Sequence, residues 1–299
     1  MTTPPRHHEH FGASELGLAM VVNIAFALNI VAMKVVVGAT APLLSVALRM
    51  GVVFLLCLPW FRRVPGKTLA LAAYGALNGG LFLLVLNLAL DMATNVGALA
   101  IAGQLSVPFS LLLGAMVFRE RLSPMRLGGV ALAFGGVVLL VFDPAITGEI
   151  PAVLVMAAAA LLWAGGTLVQ RRLAGVSALN TQAWNGLMGA ILLAPFAIGL
   201  EGKAIARLPQ VGWSVIGWFA FSCIGATVIG QGALAWLLQR HPISTVMPLV
   251  LASPVMATLF ASLYFATPIT PLMILGGLIA LAGVAIITLA APAKASVPA

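Results

Sequence analysis

Charge is what this 299-residue chain has least of: Asp, Glu, Lys and Arg make up only 7% of it, against roughly 25% in soluble domains. So little charge cannot keep a globule in water, and a soluble enzyme or binding module is excluded. Acid is scarcer still. Seven Asp and Glu stand against fifteen Lys and Arg, and no acid falls inside a long apolar run: Glu15, Asp91, Glu120, Asp143, Glu149 and Glu201 all lie at the ends of such runs or between them. Cysteine is limited to Cys57 and Cys223. Neither has a paired or metal-binding spacing, so each is read as a small hydrophobe and a disulfide framework is excluded. Histidine is confined to His7, His8 and His10 in the polar tail, beside Arg6, and to His241 next to Arg240. The tail is read as a solvated end rather than a metal site. No Walker A sequence, HExxH or nucleophile elbow is present. These absences exclude an ATP-driven pump in one chain and give no support to catalysis, a metal or a cofactor.

What the chain has instead is apolar length. Hydrophobic residues are 62% of it and mean hydropathy is +1.13, which makes it an integral protein of the cell membrane with the lipid bilayer as solvent. Runs of about 20 apolar residues cross a hydrocarbon core. They are expected near 15 to 37, 42 to 60, 68 to 90, 94 to 117, 125 to 142, 151 to 172, 180 to 200, 212 to 238, 242 to 265 and 271 to 291. Because these runs are continuously apolar rather than alternating, the reading is all-α with ten transmembrane helices, and a closed β-barrel is excluded. The first run exceeds a signal-peptide core and no small-residue cleavage site follows it, so it is a retained span. With residues 1–14 and 292–299 as cytoplasmic tails, inside segments hold Arg6, Arg62, Arg63, Lys67, Arg119, Arg121, Arg126, Arg171, Arg172, Arg240 and Lys294, and outside loops only Lys203 and Arg207. That is the positive-inside bias. It accounts for the net charge of +8 without a nucleic-acid partner.

The chain also repeats itself. Gln104 to Leu140 reads QLSVPFSLLLGAMVFRERLSPMRLGGVALAFGGVVLL, and Val250 to Leu289 reads VLASPVMATLFASLYFATPITPLMILGGLIALAGVAIITL. Pro254 answers Pro108, Pro271 answers Pro124, and Gly276-Gly277 answer Gly128-Gly129, at offsets of 146 to 148 residues. This is an internal duplication, with five-helix repeats at 15–142 and 151–291. Five is odd, so the second copy is inverted about a pseudo-two-fold axis in the membrane plane, and the halves can rock about a midplane site.

Ten spans in two such copies resemble the drug/metabolite transporter superfamily, in its ten-helix EamA-type branch. Glu120 in FRERLSP and Arg49 near the end of PLLSVALR also match the first-copy pattern, whereas FATPITP in the second copy has no acid where Glu120 stands. The resemblance covers nearly the whole chain and implies small-solute transport, often export of amino acids or metabolites. Within the branch the chain is similar to YddG-type amino-acid exporters.

The residues themselves sort by physical role. Pro108 removes a backbone hydrogen bond and crowds the carbonyl of Gln104; Pro254 does so toward Val250 and Pro248 toward Ser244. Such kinks free polar backbone either for packing or for a cavity lining. Gly128 with Gly135, Gly129 with Gly136, and Gly276 with Gly283 recur at seven residues, beside Gly277, and read as close-packing stripes of a scaffold or a homo-oligomer seam. Trp60, Trp184, Trp213 and Trp236 lie near span ends, as an interfacial belt requires. Trp163 lies mid-span, with Thr167 and Gln170 on its face. Tyr74, Asn78 and Phe82 form a second stripe and Thr227 with Gln231 a third. Aromatics mixed with amides suit a small solute with an apolar side chain and a polar head, although each stripe alone also serves as interhelical glue. Lys34 closes the stripe Ala27, Val31, Lys34, the counterpart of Trp163, Thr167, Gln170. It either snorkels to the outer interface or meets substrate. Lys34 and Arg49 have no acidic partner within a span, which leaves one of them open to a substrate carboxylate. For Arg49 the expected role is structural, bonding carbonyls near a helix end.

The function expected is a secondary transporter or exporter of small amphiphilic metabolites, amino acids foremost, working by alternating access without proton coupling. The alternative is a membrane-embedded lipid-modifying or scaffolding protein without solute flux. The ten-span arrangement is checked by thiol labelling. Cysteines replacing Arg63, Arg121 or Arg172 should react from the cytoplasm and one replacing Lys203 from outside; outside reaction at residue 121 overturns the topology.

Overall fold

The structure, a computed structural model, describes residues 13–119, 122–240, 246 and 249–290. Its long helices are α1 (Ser14–Ala39), α2 (Pro42–Trp60), α3 (Thr68–Met92), α4 (Val96–Phe118), α5 (Pro124–Val141), α6 (Thr147–Leu173), α7 (Ala178–Leu200), α8 (Trp213–Leu234, continuing to Arg240), α9 (Ala252–Phe265) and α10 (Pro271–Leu289). Among the described residues nine are long and apolar enough to cross a membrane and α9 is shorter. The expected ninth span began at 242, and much of its first part lies outside the described residues. Side-chain caps or prolines start α2, α4, α5, α6, α7 and α10. Ser123 before Pro124 and Thr270 before Pro271 each accept a hydrogen bond from the backbone N–H three residues on, at 3.3 and 3.1 Å, so α5 and α10 start with the same cap. The helices before them end alike. Arg119 and Ala266 close α4 and α9 in the left-handed conformation, with φ of 54° and 53°, a cap at which non-glycine residues are uncommon.

Equivalent helices of the two copies pack on each other. α5 pairs with α10 and α2 with α7, the two most extensive contacts in the molecule. α1 packs on α9 and α8, and reciprocally α6 packs on α4 and α3. The paired helices are antiparallel and tied at both ends. Arg126 at the start of α5 donates from Nε and Nη2 to the carbonyl of Ala290 after α10, at 3.2 and 2.9 Å. At the opposite end Asp143 accepts from the Thr270 hydroxyl and from the N–H of Ala145. Glu201 after α7 accepts from the N–H groups of Leu43 and Leu44 at the start of α2, at 3.1 and 2.7 Å, where a carboxylate also complements the helix dipole. At the other end Asn180 accepts from the N–H of Arg62 and the Trp184 indole donates to the Arg62 carbonyl. Trp184 is therefore not an interfacial residue: it is only 6% exposed and its ring packs 5.1 Å from Phe61.

The ends differ in charge. Lys67 bonds the carbonyl of Ala174 and Arg171 lies 4.9 Å over the Phe118 ring, which gathers the basic loops at one end. Asp91, Asp143, Glu149 and Glu201 lie at the other, where Glu149 accepts from Thr94 and Asn95. Between the ends the surface is lipophilic: Leu154, Ile191 and Leu278 are each more than 55% exposed, an apolar belt suited to a bilayer.

The α5/α10 seam is closed by glycine. A Cβ on Gly136 would lie 2.4 Å from the carbonyl oxygen of Gly276, and one on Gly129 would lie 2.9 Å from that of Gly283. Gly128 and Gly135 face open space, and Gly277 meets Ile101 instead. Only one of the two seven-residue glycine stripes of α5 is thus the seam. Gly136→Leu should cost about 1–3 kcal/mol or more by overpacking and sharply lower the folded fraction recovered in detergent. Gly135→Leu should leave that fraction nearly unchanged, and equal losses would refute this assignment of the seam.

Candidate functional site

Two helices change their winding near the centre. α3 widens to π-helical turns over Gly75–Phe82 and α8 over Phe221–Gly230. The two stretches begin 146 residues apart, the spacing of the duplication. The Thr227 hydroxyl donates to the carbonyl of Ser222, five residues back, at 3.1 Å, a partner that a π-turn supplies. Such turns are rare in helices and frequent at functional sites.

Around the widened part of α3 lies a dense polar cluster. Gly75 and Gly79 admit α7 so closely that a Cβ would stand 2.6 Å from the Trp184 carbonyl oxygen and 2.2 Å from that of Asn185. Gly166 of α6 leaves room for the Asn78 amide, 2.1 Å from where its Cβ would be. Tyr74, Asn78 and Asn185 are all buried there, with the tyrosine hydroxyl facing both amides. Asn185 donates to Gln182 at 3.2 Å, while its Oδ1 and both amide atoms of Asn78 make no hydrogen bond of good geometry. Unpaired amides in an apolar interior are costly, so this cluster stores polarity that packing alone does not require. Four residues on from Asn78, Phe82 and Trp163 meet with ring centroids 4.9 Å apart and planes tilted by 57°. Both are half-buried.

The structure thus brings Tyr74, Asn78, Phe82 and Trp163 together between α3, α6 and α7. Thr167 lies one turn along α6, within 3.2 Å of Ser110 on α4. Gln170 is exposed and Gln231 is half-buried on α8. Gln104 stands apart, bordering with Pro254 and Gly277 an apolar groove of about 240 Å³ between α4, α9 and α10. Beside it α4 tightens to a 3₁₀ turn over Gly103–Leu105, just before the buried Pro108. Ser244 and Pro248 lie outside the described residues.

Lys34 is engaged elsewhere. Its ammonium donates to the carbonyls of Leu90 and Ala93 at 2.6 and 2.7 Å, with that of Asp91 at 3.4 Å. A cation on the last carbonyls of α3 stabilises a helix end.

A second polar group surrounds a small cavity between α1, α2, α3 and α8, lined by Met33, Val36, Ser45, Arg49, Asn87, Phe219 and Ser222. Arg49 lies seven residues into α2, about 10 Å at 1.5 Å per residue. Among the described residues it bonds no helix-end carbonyl, contrary to the role expected from sequence. Its Nη2 reaches Thr227 Oγ1 at 3.4 Å, and its Nε and Nη1 are buried without a partner. Asn87 donates to Ser45 at 2.7 Å and Ser222 donates to Asn29 at 2.7 Å. Sequence reading passed over Asn87, Ser222 and Asn29, because single polar residues in long spans carry no pattern until the helices are placed.

An all-helical, multi-pass membrane protein made of two copies, with equivalent helices paired antiparallel around buried polar groups, is the class this geometry defines. A family model described as the EamA-like transporter family matches residues 13–142 and again 150–289, and the chain belongs to that family. It is 28% identical over 275 residues to a protein of Escherichia coli (strain K12) named "Probable amino-acid metabolite efflux pump", covering 89% of this chain and 92% of that one. It is 27% identical over 276 residues, with the same coverage, to the protein of that name in Salmonella typhimurium. A crystal structure titled "Crystal structure of protein" shares the fold, with a TM-score of 0.60 at 21% identity over 93% of this chain and 98% of that one.

The engagement of Lys34 gives a clear expectation. Lys34→Met should lower stability by about 1–3 kcal/mol, the worth of hydrogen bonds from a charged donor, read as an earlier melting transition in detergent. Unchanged melting with a weakened transport affinity would return Lys34 to the substrate.

Proposed function

We propose that the protein is a secondary transporter that moves small amphiphilic metabolites, amino acids first and aromatic ones among them, by alternating access without proton coupling. The observation that carries the reading is the antiparallel pairing of α2 with α7 and of α5 with α10, because equivalent helices that run oppositely belong to inverted copies. Residues 15–142 and 151–291 are then two halves of one transport domain that exchange access by rocking. The basic ends of the helices face the cytoplasm, where the tails 1–14 and 292–299 also lie. The relatives named as amino-acid metabolite efflux pumps favour amino acids as cargo and outward flux. The Phe82–Trp163 pair offers an apolar wall and Asn78 a polar one.

Coupling to protons generally needs a carboxyl or imidazole that titrates within the membrane. The sequence places every acid at a span end or in a loop, and Lys34 is fixed on helix-end carbonyls. The solute therefore leaves down its own gradient.

Proteoliposomes loaded with a labelled amino-acid panel test this directly. Efflux should be saturable, an imposed pH difference should change its initial rate by less than about twofold, and Trp163→Ala should slow it without lowering the folded amount. Uphill accumulation abolished by a protonophore would refute the uncoupled mechanism. Absence of flux for every solute would leave the scaffolding or lipid-modifying alternative.

A further inference from the structure

We propose that the cavity at Arg49 is the subsite for the zwitterionic head of an α-amino acid, with Arg49 taking the carboxylate and Asn87 the ammonium. This rests on the transporter reading and names the chemistry its site selects.

A guanidinium keeps its proton in proteins and offers five N–H donors. Here one nitrogen reaches an acceptor, Thr227 Oγ1, at the long distance of 3.4 Å. Nε and Nη1 are sealed from solvent with nothing to bond. A buried cation in this state needs a counter-charge, and no Asp or Glu occurs within the helices that line the cavity at this depth. The anion must come from outside the chain. Either edge of the guanidinium fork accepts a carboxylate, side-on through Nε and Nη2 or end-on through Nη1 and Nη2, once Thr227 yields its long contact.

The same cavity holds unused acceptors. The Ser45 hydroxyl has one proton, donated to the carbonyl of Pro42 at 2.9 Å, so it can only accept from Asn87. That fixes the Asn87 amide with Nδ2 toward Ser45 and leaves its buried Oδ1 without a partner. The Ser222 proton is likewise donated to Asn29, so the lone pairs of its oxygen remain free. Unpaired donors on one wall and unpaired acceptors on the others complement a carboxylate and an ammonium held on one carbon. A neutral metabolite or a simple amine satisfies only half of them.

In this conformation the cavity has room for about one water, roughly 10 Å³. Phe219 and Ser222 form its α8 wall, and Ser222 lies with Thr227 in the π-wound stretch. Withdrawal of α8 opens the subsite and its return closes it.

The experiment uses wild-type protein in proteoliposomes with the best-transported member of the labelled panel. Its decarboxylated amine and its deaminated acid are the competitors. Each should compete about tenfold or more weakly than the unlabelled amino acid, as expected when a site built for charged hydrogen bonds loses a partner. Arg49→Gln should raise KM about tenfold or more with a smaller effect on kcat, Arg49→Lys should recover part of that, and Asn87→Leu should make the deaminated acid compete like the amino acid. Equal competition by the amine in wild type, or a KM within twofold in a folded Arg49→Gln, overturns the head-group site while transport itself stands. If Arg49→Gln does not fold, the wild-type competition decides alone. If no amino acid is transported, the transport reading falls and this inference with it.

Discussion

Helices in hydrocarbon gain nothing from the hydrophobic effect by touching, since lipid tails are as apolar as leucine. What holds the two most extensive seams of this bundle is close backbone approach. Gly129 and Gly136 lie on the carbonyls of Gly283 and Gly276, with Gly276 and Gly283 returning the contact. Gly186 sits on Met50 and Phe54 in the α2/α7 seam, and Gly189 on Met50 there and on Gly79 of α3. A Cβ at any of these positions would collide with main chain, so the spacing is set by atoms that cannot move aside. Polar ties at the helix ends, Arg126 with Ala290 and Glu201 with Leu43 and Leu44, then fix the slide of each pair along its axis.

These contacts fall between the copies rather than within them. α5 would pack poorly without α10, and α2 without α7, which is why a single five-helix unit has no complete core. The reciprocal pattern, residue 129 on 283 and 136 on 276, is what two antiparallel copies impose on a shared seam. The remaining helices also pack between the copies, α1 on α8 and α9, and α6 on α3 and α4. The two with widened turns, α3 and α8, are the ones that carry Asn78, Ser222 and Thr227.

Much of this was legible in the sequence, and the reasons are local. Apolar length gave the helices. The offset of 146 to 148 residues gave the duplication, since proline and glycine act through their own backbone. What sequence could not choose was helix rotation. Gly128/Gly135 and Gly129/Gly136 have the same spacing, and only the position of α10 tells which pair faces it. Lys34 was balanced between lipid interface and substrate, and the carbonyls that its ammonium meets belong to the end of α3, 56 residues away. Arg49 was assigned to helix-end carbonyls, the commonest relief for a buried guanidinium. It fails to reach any because its neighbours come from three other helices, with Thr227 178 residues distant.

The two copies share geometry but not charge. The offset that relates Trp163 to Ala27 places Asn185 opposite Arg49, each on the second helix of its copy and each beside the widened turn of the other copy's third helix. Asn185 is neutral, donates to Gln182 and has its backbone packed against Gly79. Arg49 faces a cavity with donors to spare. A symmetric pair of cations would give two anion sites repelling each other across a low-dielectric core, and a symmetric pair of amides would give no charge selection at all. One cation in one copy gives the pseudo-symmetric scaffold a single charged focus among its buried polar groups.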